Sequence, residues 1–492
     1  MLLHQRLKKA VPRGILGNRG YTKVLRLDNI NENVLRAEYA VRGELYKAAV
    51  QRTKQGKEVI YTNIGNPHSL GQKPVTFTRQ VLALVVNPGM MEDPSASSLF
   101  PPDVISRAKM YLKEMSGGMG AYSDSKGVPA IRQEVADFIQ RKSGQPSSPD
   151  NVYLLNGASE SARLMIQVLI RNKTDGILVP IPQYPLYSAS IALYGGQLVP
   201  YFLNESQGWS LDVNELKKSI DEAKRKNISV KGMVFINPGN PTGQSLTEKN
   251  LADIMKFAHE NSIVLMADEV YQENIYNPSK PFISARKVLG SMPRPISDSV
   301  ELVSMHSTSK GVVGECGLRG GYMEVHNVDT NVAEELYKLS AINLCSNLVG
   351  QVAVGLMCNP PRKGDPSFPL YDQEVTQLHQ SLQRRAARIS AAFNALPGVS
   401  CQQTEGALYS FPSVKLPASF VESARMQSKA PDVLYCLELL DATGLCTVPG
   451  SGFKQAEGTF HFRTTILPAE DKFDDILKRF SGFQQDIMKR WG

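Results

Sequence analysis

The chain has 492 residues, 42% of them hydrophobic, which is room for two or three domains with ordinary globular cores. Its net charge is +8, but residues 1–27 hold Arg6, Lys8, Lys9, Arg13, Arg19, Lys23 and Arg26 with no acid, so the body is nearly neutral and makes no electrostatic case for nucleic acid. No apolar run approaches the roughly 18 residues that a membrane span needs, so no membrane partner is expected.

The basic, acid-free head reads either as a mitochondrial transit peptide or as an N-terminal arm, and it contains no serine. Leu2-Leu3 and Ile15-Leu16 are too short for a secretory h-region. Cys316, Cys345, Cys358, Cys401, Cys436 and Cys446 form no CxxC pair and no histidine cluster accompanies them, so core thiols in a reducing compartment are expected, and no metal site.

In chain order, residues 29–55 show helical apolar spacing and lead to Asn63-Ile64-Gly65-Asn66-Pro67, where the proline ends any helix. Residues 75–102 carry prolines and no clear period. A helix over 104–115 precedes a glycine loop and Ala121-Tyr122-Ser123, and another runs through Ile131, Val135 and Phe138.

From 152 onward, strands alternate with helices, which predicts a mostly parallel sheet covered on both faces, with ligands at the carboxyl ends of its strands. The first strand, 152–155, runs into Asn156-Gly157-Ala158-Ser159-Glu160 and a helix over 162–170. Such a turn is an anion site, a cap by Ser159, or both. Strand 177–180 ends in Pro182-Gln183-Tyr184-Pro185-Leu186-Tyr187, where either tyrosine could pack in the core or lie flat on a ring. Strands 197–202 and 230–236 flank a helix over 213–225, and the second ends in Asn237-Pro238-Gly239-Asn240-Pro241-Thr242-Gly243, a rigid loop. After a helix over 246–259, strand 263–267 ends at Asp268-Glu269-Val270-Tyr271; a carboxylate there either caps a helix or meets a buried cation, and Glu269 reads as structural.

Strand 301–306 then delivers Ser307-Thr308-Ser309-Lys310, with Arg319 nine positions later among glycines. Hydroxyls, a lysine amine and an arginine in that order suit a phosphate beside a reactive amine. Past Pro360 come a long helix over 375–396, short strands near 406–411, 446–448 and 459–463, and a helix over 470–488. Arg463 stands on the last strand, as an edge charge or as a fork for a carboxylate.

From about Asn63 to about Leu467 these motifs together resemble the fold-type I pyridoxal-phosphate aminotransferases, and Gly314-Glu315-Cys316-Gly317-Leu318-Arg319-Gly320-Gly321 through Val325 is similar to their alanine aminotransferase branch. The resemblance implies an aspartate-aminotransferase-like α/β fold: a large domain over 118–359, a smaller α+β domain from 29–117 and 360–492, and a basic arm or targeting segment over 1–28. It implies pyridoxal 5'-phosphate held as a Schiff base by Lys310, which also moves the proton. Phosphate contacts are implied for Ala158, Ser159, Ser307, Ser309 and Arg319, and for Tyr122 reaching across a homodimer. Tyr184 is implied on the ring face, Asp268 at the ring nitrogen, and Asn240 and Tyr271 at the 3′ oxygen. Arg463, Gly65 and Asn240 are implied at the substrate.

Transfer of the amino group from L-alanine to 2-oxoglutarate by ping-pong chemistry is therefore expected, with small amino and oxo acids as partners. The alternatives are a glutamate:glyoxylate or aromatic donor pair, and a lyase of the aminocyclopropane-carboxylate synthase kind. A ligand-sensing regulator would need a DNA-binding module, and the residues ahead of Asn63 show no helix-turn-helix pattern. A cytoplasmic address is expected, with a mitochondrial one the alternative that the head allows.

Overall fold

The computed structural model describes residues 23–39 and 43–492, so most of the basic head, 1–22, lies outside the described residues. Seven strands form the central sheet: β1 (Val152–Leu155), β2 (Asp175–Ile181), β3 (Gln197–Phe202), β4 (Ser229–Ile236), β5 (Val264–Asp268), β6 (Leu302–Ser307) and β7 (Gly321–His326). Their order is β1-β7-β6-β5-β4-β2-β3. Only β7 runs against the rest, pairing antiparallel with β1 and β6, while β6, β5, β4, β2 and β3 pair in parallel.

Strand side chains alternate between faces, so neighbouring apolar residues divide between two cores. Leu178, Met233, Leu265 and Leu302 pack with the helices Val213–Arg225 and Glu248–Asn261 on one face. Val179, Val234, Met266 and Val303 pack with Ala158–Leu169 and Pro185–Leu193 on the other. Burial on both sides is why these strands read as unbroken apolar runs. It also leaves the carboxyl ends as the place where polar loops gather.

A separate core belongs to the smaller domain. Leu45 and Ala49 of the helix Glu44–Lys54 join Leu382, Phe393, Phe420, Tyr435, Phe462 and Phe480 there. Ile60–Tyr61 pairs with Leu445–Cys446, and Phe462–Thr465 stands between Tyr409–Ser410 and Val448–Pro449. The stretch 75–115, read from sequence as part of this domain, packs elsewhere. Its helices Thr76–Val86 and Pro102–Glu114 bury Phe77, Val81, Val104 and Tyr111 against Ile131, Val135, Val352 and Leu356, on the large-domain side. The helix Phe368–Asn394 connects the two cores: Tyr371 and Val375 lie on the large-domain cluster, Leu382 to Phe393 in the smaller one.

The single helix expected over 29–55 is divided. Glu32–Arg36 lies against the large-domain helix Pro185–Leu193, and Glu44–Lys54 belongs to the smaller domain. Among the described residues no helix is long and apolar enough to cross a membrane.

Candidate active site

β6 ends at Ser307, and the chain turns through Thr308 and Ser309 to present Lys310 at the cleft between the domains. Gly311 holds a left-handed φ of 68° and its N–H donates to Asn274 Oδ1 at 2.8 Å, which fixes the turn. Lys310 Nζ donates to Gly65 O at 2.8 Å and stands 5.8 Å from the centre of the Tyr271 ring.

Arg319, itself left-handed at φ 55°, folds back over the start of the helix Ala158–Leu169. Its Nη2 donates to Ser159 Oγ at 3.2 Å and Asn156 O at 3.1 Å, and its Nη1 to Ser309 Oγ at 3.4 Å. Gly157 precedes the helix with φ 86°, and a Cβ there would stand 2.5 Å from Arg319 Nη2, so only glycine admits the guanidinium. No side chain caps this helix; Ser159 accepts from Arg319 instead of from a backbone N–H, and the first N–H groups stay available for an anion. Ser307 Oγ, just behind, accepts from Ser309 N at 3.4 Å.

Asp268, the last residue of β5, is buried, and burial raises its carboxyl above the usual range. The Tyr187 hydroxyl, donating to Oδ2 at 2.6 Å, the Val270 N–H and the Lys310 cation all act the other way, favouring the carboxylate. A desolvated carboxylate so arranged suits a buried cationic partner. Tyr187 had no role assigned from sequence: both tyrosines of the PxYPxY stretch were visible, but only the helix Pro185–Leu193 shows that Tyr187 faces inward, fully buried. Tyr184, before that helix, is half-buried, and its hydroxyl shares a 2.8 Å hydrogen bond with that of Tyr39.

The 237–243 loop brings Asn240 between two partners. Its Nδ2 donates to Tyr271 Oη at 3.4 Å, and its Oδ1 accepts from Arg463 Nη1 at 2.9 Å. Arg463 is fully buried, with its guanidinium 4.1 Å from the centre of the Tyr409 ring and 4.9 Å from that of Phe453. Its Nη2 donates to Asn63 O, and Nε has no partner, so the fork retains donors for a carboxylate. Tyr409, which no sequence pattern singled out, has its hydroxyl 3.5 Å from that of Tyr271. Burial would raise its phenol, but the cations of Lys310 and Arg463 prevail and lower it.

The structure thus brings Lys310, Gly65, Asn240, Asp268, Tyr271 and Arg463 to one cleft, with Ala158, Ser159, Ser307, Ser309 and Arg319 forming an anion cradle at the strand ends. Tyr122 stands apart: it is 76% exposed and makes no hydrogen bond to another described residue. An amine, a buried carboxylate and a cradle of arginine, hydroxyls and helix N–H groups are the donor set that pyridoxal phosphate requires of its protein: a partner each for aldehyde, ring nitrogen and phosphate.

Residues 89–480 match the family model described as aminotransferase class I and II. The chain is similar to glutamate–glyoxylate aminotransferase 1 of Arabidopsis thaliana, with 52% identity over 95% of this chain and 98% of that one. It is 48% identical to the probable mitochondrial alanine aminotransferase of Dictyostelium discoideum, over 96% of this chain and 91% of the relative. Among solved structures, the alanine aminotransferase of Pyrococcus furiosus superposes with a TM-score of 0.75 at 26% identity, covering 93% of this chain and all of that one. The aspartate aminotransferase of Thermotoga maritima shares the fold at a TM-score of 0.70. With an apt cleft at the strand ends and a match over most of its length, the chain belongs to the class I and II aminotransferase family.

Proposed function

We propose that this aminotransferase moves the amino group of L-alanine to 2-oxoglutarate, giving pyruvate and L-glutamate. The observation that carries the reading is the convergence of Lys310, Asp268 and Arg463 on one cleft beside the Arg319 cradle. When bound, pyridoxal phosphate supplies an aldehyde for the amine and a ring that accepts electron density from the substrate Cα. Arg319, Ser159, Ser309, Ser307 and the helix start at Ala158 would hold its phosphate. Asp268 would hold its ring nitrogen, Asn240 and Tyr271 its 3′ oxygen, and Tyr184 its outer face.

Arg463 takes the substrate carboxylate in its fork, with Asn240 and Gly65 lining the approach, and so sets which Cα bond faces Lys310. The Lys310 amine accepts the proton from Cα and delivers it again, as the one mobile base in reach. Tyr409 and Phe453, on either side of the buried guanidinium, keep water from that end of the site. Tyr122, exposed on one protomer, would complete the phosphate cradle of a second in a homodimer. The expected address is cytoplasmic, or mitochondrial as for the relatives so named in Dictyostelium discoideum and Arabidopsis thaliana.

A second reading has support of its own: two glutamate–glyoxylate aminotransferases of Arabidopsis thaliana are 52% and 51% identical to this chain, against 48% for alanine aminotransferases of comparable coverage. Half-reactions separate them. Purified holoenzyme mixed with L-alanine alone should show full conversion of the cofactor absorbance with release of pyruvate, reversed by 2-oxoglutarate, and the Lys310→Ala protein should show none. Inertness to alanine with conversion by glutamate and reversal by glyoxylate would establish the second reading.

A further inference from the structure

The sheet face covered by Val213–Arg225 and Glu248–Asn261 holds a cavity of about 220 Å3 at the carboxyl ends of β2, β3 and β4. Its walls include Tyr201, Trp209, Phe235 and Leu246, and Gln244 and Ser245 line it from one side. Both polar residues are 9% exposed, and neither atom of the Gln244 carboxamide nor the Ser245 hydroxyl has a hydrogen-bond partner. Buried polar groups in native proteins are almost always answered, so three orphaned atoms on consecutive residues mark a place where something else supplies the partners.

Two features define what that is. The carboxamide offers a donor and an acceptor side by side, which a flat amide or lactam edge complements and a carboxylate does not. The charged side chains lining the cavity already balance each other, because Lys280 pairs with Glu405, whose other oxygen accepts from Ser245 N at 3.2 Å. An uncharged ligand therefore suits the site, and the volume admits one aromatic ring with its amide.

The wall is also the back of the catalytic loop. Gly239 N donates to Gln244 O at 2.8 Å and Gly243 N to Gly239 O at 2.9 Å, so Gln244 and Asn240 belong to one closed turn. Glu405 and Gly406 belong to the smaller domain's side, and Gly406 N donates to Gly243 O at 2.8 Å. We propose that this cavity is an effector site for an uncharged aromatic carboxamide, whose amide edge pairs with Gln244 while its ring lies among Tyr201, Trp209 and Phe235. Occupancy braces the 239–245 turn from behind and holds Asn240 against Arg463, lowering KM for the amino acid with little change in kcat.

Nicotinamide is the probe and nicotinate its charged control, added to holoenzyme in saturation-transfer NMR and in steady-state assays. The expected result is saturable nicotinamide binding that amino-acid substrate does not displace, a two- to fivefold lower KM, and no binding of nicotinate. Gln244→Leu should weaken that binding about tenfold, the loss of one amide pairing, while turnover without nicotinamide persists. Should the leucine variant fail to fold, Gln244→Glu, which keeps size but loses the donor, should show the same weakening. Absence of saturable binding, equal binding to the variants, competition by substrate, or a crystal soak showing only water at Gln244 would each overturn the proposal.

Discussion

Arg463 Nη1 donates to Asn240 Oδ1 at 2.9 Å, joining a strand of the smaller domain to a loop at the end of β4 in the larger one. The residue proposed to take the substrate carboxylate and the residue proposed at the cofactor's 3′ oxygen are therefore one mechanical unit. Tyr409 and Phe453 enclose the guanidinium and exclude water around it, which strengthens any charge-assisted hydrogen bond it makes.

That unit makes a graded prediction. Arg463→Lys keeps a cation but loses the fork, so kcat/KM for the amino acid should fall about 100-fold, on the order of 2–3 kcal/mol, mostly through KM. Asn240→Ala leaves Arg463 in place with Nη1 unpaired and removes the proposed 3′-oxygen contact as well, so kcat/KM should fall about tenfold, the order of one to two hydrogen bonds. Steady-state kinetics with alanine checks the order, and a larger effect of Asn240→Ala would contradict it.

Gly65 and Tyr409 should be coupled. A Cβ on Gly65 would stand 2.3 Å from Tyr409 Oη and 3.1 Å from Lys310 Nζ, so Gly65→Ala must displace the phenol, the amine or both. Activity should drop at least about 100-fold, since small misplacements of a reacting amine carry costs of that order. Adding Tyr409→Phe removes the closest atom and should restore part of the loss, although the ring carbon at 3.0 Å keeps it incomplete. A double variant no better than Gly65→Ala would show that the alanine acts through Lys310 alone.

What could be read from the sequence follows from where the chemistry lies. Asp268 closes β5, Asn240 and Lys310 follow the ends of β4 and β6 by four and three residues, and Arg319 stands two residues ahead of β7, so an apolar run gives way to polar, glycine or proline residues beside each functional position. Tyr187 and Tyr409 lacked that signal: one is a helix residue whose inward face depends on tertiary packing, the other belongs to a two-residue strand with no period. The placement of 75–115 was hidden for a related reason. In Thr76–Val86, six of eleven residues are buried, and an apolar helix wrapped on most sides shows no stripe to orient it.

Glu269 makes stability fall toward alkaline pH. Burial pushes its carboxyl up to about 8, with the Asp268 and Glu324 carboxylates adding and the Ala285 N–H opposing. In the unfolded chain it ionises near 4.5, so between those values unfolding releases a proton. Its stabilisation is complete below about 4.5 and is lost as pH rises through about 8. His306, buried without a hydrogen-bond partner, is held down to about 4 by desolvation and produces the opposite, acid limb, present above about 6.5 and lost as pH falls through about 4. Glu269→Gln keeps an oxygen for the Ala285 N–H and removes the titration. Thermal unfolding followed from pH 4 to 9 should show the wild-type midpoint declining by several degrees as pH rises from about 6.5 through 8, the variant staying nearly flat over that span, and the variant falling on the acid limb as pH drops from about 6.5 toward 4. Parallel declines in the two proteins would mean that Glu269 is ionised in the folded state.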